Sequence, residues 1–129
     1  MDASMKAKKN KDDVLILESI NHWKKMINWV AGQPQNSKPN FLTMLVNIGE
    51  NWGSMDCPFC KYYVYIDDWK PWLRDCIGCP ISQKWGRCSV YKKSHPWGAV
   101  SNSSTWGEWL INAELFLKEL EKLLQKNKD

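Results

Sequence analysis

The chain has 129 residues, 43% of them hydrophobic and 25% charged, with a net charge of +4, nine Trp and five Cys. That length supports one domain with a modest core, and the apolar fraction excludes intrinsic disorder. The longest apolar runs, such as Val14-Leu15-Ile16-Leu17, fall far short of the roughly eighteen residues that read as a membrane span.

Residues 1–11 carry Lys6, Lys8, Lys9 and Lys11 against Asp2 and read as a mobile basic tail. They lack the apolar stretch of a signal peptide, so the expected location is cytoplasmic, where thiols stay reduced. Five is also an odd count for a disulfide framework.

Residues 12–49 read as N-terminal helices. Asp12 or Asp13 is suited to cap the first, and Ile16, Ile20, Trp23, Ile27 and Val30 follow on one helical seam. Gly32 and Pro34 end it. His22 lies beside the seam and is expected at the surface or its boundary. A polar connector over residues 33–40 leads to a short helix from Phe41 to Ile48 that stops at Gly49. Its nearly all-round apolar content predicts burial between other elements.

Residues 50–104 hold every Cys and four of the six Pro, with no long periodic pattern. Tyr62-Tyr63-Val64-Tyr65-Ile66 fits a strand by propensity or the apolar part of a short helix, and both stay open. Cys57-Pro58-Phe59-Cys60 alone resembles a redox dithiol. That chemistry needs a strand before the tetrad, whereas the residues here form a glycine-broken loop, and Asp56 disfavours a thiolate at Cys57.

With Cys76-Ile77-Gly78-Cys79 the first pair gives C-x2-C-x15-C-x2-C, within the spacing of a four-thiolate zinc site on Cys57, Cys60, Cys76 and Cys79. Each C-x-x-C turn aims two sulfurs at one ion, so two turns close a tetrahedron with no open position and the site is structural. Cys88 and His95 are alternate ligands. Iron or an iron–sulfur cluster would accept the same thiolates, but nothing in the chain suggests an electron-transfer partner. A zinc staple contributes on the order of 10 kcal/mol to the folding of small modules.

The run CPFC, then CIGCPI, then GRC, resembles a group of small cysteine-rich proteins that recur in phage genomes. The resemblance covers Cys57 to Cys88 and carries no activity. It implies a phage accessory protein acting in the host cytoplasm, with a role against a host defence as one option.

From Cys76 to Gly107 there is no Asp or Glu, while Lys84, Arg87, Lys92, Lys93 and His95 alternate with Trp85, Tyr91, Trp97 and Trp106. Cations track phosphates and rings stack on bases, so Lys84, Trp85, Arg87, Tyr91, Lys92, Lys93 and Trp97 form a candidate surface for nucleic acid or a nucleotide. Only Arg74 and Arg87 are Arg, which disfavours base-specific reading. The alternative is a factor that inhibits a host protein through exposed Trp. No Gly-rich phosphate loop, zincin pattern or nucleophile elbow occurs, so the expected role is non-catalytic.

Residues 105–126 read as the C-terminal helix. Thr105 and Glu108 make a capping box, and Leu110, Ala113, Leu117, Leu120 and Leu124 form a stripe widened by Trp109, Phe116 and Leu123. The expected fold is mainly α: a small single domain with two long terminal helices around an irregular, Cys-rich, metal-stapled centre. The residues do not fix an oligomeric state.

Overall fold

The first helix, α1, runs Ala3–Val30 in the computed structural model, which describes residues 3–53, 56–59, 80–85 and 95–128. It starts well ahead of the expected caps, so Asp12 and Asp13 lie inside the helix and Asp12 is buried. The Ala, Met and Lys residues that precede them favour helix strongly enough to carry the backbone through. Ile16, Ile20, Trp23 and Val30 face inward as the spacing predicts, joined by Leu15 and Met26.

The α2 helix is Phe41–Ile48, with the predicted bounds. Asn40 caps it by accepting from Thr43 N at 3.1 Å, and Gly49 ends it at φ 76°, a left-handed turn that Gly adopts at least cost. Short helices α3 (Pro80–Trp85) and α4 (Pro96–Ser101) precede α5 (Trp106–Lys128). Among the described residues there is no strand, and no helix is long and apolar enough to cross a membrane. The strand-or-helix question at 62–66 lies outside the described residues.

Helices α1 and α5 pack antiparallel: Trp29 meets Trp106 at 5.4 Å between ring centroids, while Trp23 meets Trp109 at 5.9 Å and Phe116 at 4.8 Å. The buried seam of α5 is Trp106, Trp109, Ala113, Phe116 and Leu120. Leu110, Leu117, Leu123 and Leu124 are only half-buried, because the large rings turn toward α1 and rotate the helix about them.

Both ends of the connector serve as caps. Gln35 O and Ser37 O accept from Gly107 N at 2.9 Å and Trp106 N at 2.8 Å, satisfying two donors at the start of α5. Gln35 Nε2 donates to Val30 O at 3.1 Å and tidies the end of α1. The capping box forms in part: Glu108 N donates to Thr105 Oγ1 at 3.1 Å, and the Glu108 carboxylate accepts from Ser104 N instead of the cap residue. Asn112 Nδ2 ties α5 to α4 through Ala99 O and to the turn after it through Ser103 Oγ.

Candidate metal centre and adjoining surfaces

The loop after α2 leads directly to the first Cys pair. Phe41 stacks on Trp52 at 3.9 Å, and Trp52 is buried against Trp106 and Trp109. Trp97 Nε1 donates to Trp52 O at 2.7 Å, fastening the loop to α4. Asp56 closes the next turn, with Oδ2 accepting from Asn51 N at 3.0 Å and its N–H donating to Gly53 O at 3.1 Å. Cys57 follows, half-buried against the core, and the chain turns helical at Pro58 and Phe59. Phe59, between the first two cysteines, is 1% exposed.

The second pair has a matching anchor. Pro80 follows Cys79 and opens α3, and Ile81 is 2% exposed in the same buried cluster as Phe59. In sequence, then, each C-x-x-C unit contains or closely precedes a core residue. Cys60, Cys76, Cys79 and Cys88 themselves lie outside the described residues. Among the described residues no three His, Cys, Asp or Glu side chains gather as a metal site.

His95 is buried and caps α4, with Nδ1 accepting from Trp97 N at 3.0 Å. Its ring lies 6.3 Å from that of Trp85. The start of α4 thus gives Nδ1 of this histidine a local role.

Of the basic aromatic set, Lys84, Trp85 and Trp97 are described; Arg87, Tyr91, Lys92 and Lys93 lie outside the described residues. Lys84 Nζ pairs with Glu119 at 3.2 Å and sits 4.6 Å over the Trp85 ring. Glu119 also takes Lys122 at 3.2 Å. Hydrogen bonds from Lys84 and then Lys122 hold the Glu119 carboxyl below its ordinary pKa despite slight desolvation. Trp85 and Trp97 are half-buried against the core, and none of the seven described Trp is exposed. Recognition through exposed Trp therefore finds no Trp on the described surface; the indoles are used as core.

Two features escape the sequence reading. His22, expected at the surface or its boundary, lies on the inner side of that boundary at 9% exposure, with Glu50 folded back over it: His22 Nδ1 and Glu50 Oε1 are 2.8 Å apart, and Lys25 Nζ donates to Glu50 Oε2 at 3.1 Å. Desolvation raises the Glu50 pKa, but the hydrogen bonds and charges of His22 and Lys25 outweigh it and the net shift is downward. A His–Glu pair formed across 28 residues leaves no local signature.

The other is α2. Its apolar content predicts burial, yet only Met44 is buried. Phe41, Leu42, Leu45 and Val46 are exposed at 43%, 70%, 39% and 83%. Composition records how apolar a helix is, not whether this chain supplies enough neighbours to cover it. No family model matches the chain, and no curated protein or solved structure is significantly similar to it.

Proposed function

We propose that the protein is a non-catalytic binding protein whose Cys-rich centre is stapled by one zinc ion on Cys57, Cys60, Cys76 and Cys79. One observation supports the metal reading beyond spacing: Phe59, inside the first Cys pair, and Ile81, two residues after the second, are both buried residues of the core. An ion shared by the two pairs would tie these segments together and add its binding free energy to folding. Four thiolates leave no open coordination position, so the ion supplies rigidity and not chemistry.

Cys88 is the alternate thiol. His95 would ligate through Nε2 only after Nδ1 gave up the hydrogen bond it accepts from Trp97, because a neutral metal-bound imidazole carries its proton on the other nitrogen. Iron in place of zinc would keep the same donors and change colour and potential.

The staple would hold the segment from Lys84 to Trp97 as a surface for single-stranded nucleic acid, with Lys84, Arg87, Lys92 and Lys93 along the phosphates and Trp85, Tyr91 and Trp97 offering ring faces. Lys84, 44% exposed at the segment's start, is paired with Glu119 at 3.2 Å and would exchange that carboxylate for a phosphate. Fluorescence anisotropy with a labelled oligonucleotide tests it. Binding should weaken steeply with salt, and the double change Lys92→Ala, Lys93→Ala should flatten that slope by about two counterions. Salt-independent binding, or none, contradicts it.

Recognition of another protein is the second reading, favoured by the open apolar face of α2. The resemblance to phage proteins adds a setting for either reading, an accessory in a host cytoplasm.

A further inference from the structure

We propose that the lysine-bearing ends of α1 and α5 form one phosphate-contact surface for nucleic acid, adjoining the segment that starts at Lys84. The inference rests on the nucleic-acid reading and adds to it the helix ends that hold the chain's surplus positive charge.

Lys6, Lys8, Lys9 and Lys11, which the sequence suggests lie on a mobile tail, stand in the first turns of α1. Lys118, Lys122, Lys126 and Lys128 stand in the last turns of α5. Antiparallel packing brings the two sets to one end of the helix pair. Lys11 and Lys128 each lie twelve residues beyond the contact of Trp23 with Phe116, roughly 18 Å along either helix. Both helices are still seated in the core at Ile16 and Leu120, which are fully buried.

These eight lysines share their turns with Asp12, Asp13, Glu119 and Glu121. The surplus of four cations equals the net charge of the whole chain, so the remaining residues, Asp2 and Asp129 among them, balance to zero. Three of the four acids are covered or occupied. Asp12 is buried, Asp13 Oδ1 is shut off from solvent, and Glu119 is held by Lys84 and Lys122 at 3.2 Å each. Lys6 and Lys9, Lys8 and Lys11, Lys118 and Lys122, and Lys122 and Lys126 stand three or four residues apart. Like charges at those spacings destabilise a helix, and a polyanion laid across both ends removes the repulsion.

Lys84 ties the start of the candidate loop to this same stretch of α5 through Glu119. The loop and the lysine ends therefore adjoin, and one strand spans both. All eight cations are Lys, point charges that take a phosphate without reading a base, so the contact is indifferent to sequence. Among the described residues no large apolar side chain is exposed within these turns, so the surface lacks what a lipid layer would take up.

Fluorescence anisotropy of the full-length protein with a labelled oligothymidylate of about twenty nucleotides, over a range of salt, tests this. Lys8→Gln with Lys9→Gln, and separately Lys126→Gln with Lys128→Gln, should each lower the slope of log K against log salt by about 1.4. Gln keeps the helix propensity of Lys. Lys24→Gln with Lys38→Gln, at exposed sites near the other end of the pair, should leave the slope unchanged. An equal drop in that control overturns the placement, because net charge alone would then set the slope. A slope lowered by Lys92→Ala with Lys93→Ala but by neither end pair overturns this inference and leaves the loop surface standing. No binding by the parent protein overturns both. Binding to phosphatidylserine–phosphatidylcholine vesicles that the end pairs abolish, with none to the oligonucleotide, assigns the lysine ends to a membrane and overturns the proposal.

Discussion

His22 Nδ1 lies 2.8 Å from Glu50 Oε1, joining the middle of α1 to the residue just past the left-handed cap of α2. Gly49, at φ 76°, turns the chain so that Glu50 points back at α1. The contact thereby fixes where the short helix ends and how the loop toward Cys57 begins. Lys25 completes it from the solvent side, 3.1 Å from Oε2.

Glu50 titrates below its ordinary value of 4.5, so the folded state holds this proton less tightly than the unfolded one. The stability it adds is present above 4.5 and lost as pH falls through the lower folded value. Glu50→Gln should cost about 1 kcal/mol near neutrality, the scale of a charge-assisted hydrogen bond at a partly exposed site. In acid the two proteins should converge. Urea midpoints at both pH values check this; a constant gap would show that charge is not what Glu50 contributes.

Trp109 is fully buried and meets Trp23, Trp52 and Trp106, while its Nε1 has no hydrogen-bond partner. Trp109→Ala should cost about 3–5 kcal/mol by opening a cavity among the rings. Trp109→Phe should cost distinctly less, since it keeps an aromatic ring and removes an unsatisfied donor. Guanidinium unfolding of both variants checks the order. Equal costs would mean that ring packing at this site matters little.

Thr105→Ala removes the acceptor that holds Glu108 N at 3.1 Å. The expected loss is about 1 kcal/mol, read as a lower thermal midpoint with unchanged helix content near room temperature. Replacement by Ser should restore most of it.

The limits of the sequence reading follow from the range of each interaction. The bounds of α2 were legible because Asn40 and Gly49 act on backbone within a turn of themselves. The inward seam of α1 was legible because it is a property of one helix. Its start was not, since two aspartates that would suit a cap are outweighed by a preceding run of strong helix formers. The open face of α2 and the burial of His22 depend on what arrives from elsewhere in the chain, and neither is encoded by local pattern. The candidate metal site is read from spacing alone; beside it the structure places Phe59 and Ile81 in the core.

The proposed staple is the central claim, and metal content tests it most directly. Elemental analysis of the purified full-length protein should give one zinc per chain. The same assay on Cys57→Ser and on Cys76→Ser should show the metal lost from each, because one ion draws on both pairs. Full-length protein without stoichiometric metal, or with zinc retained in both variants, would contradict it.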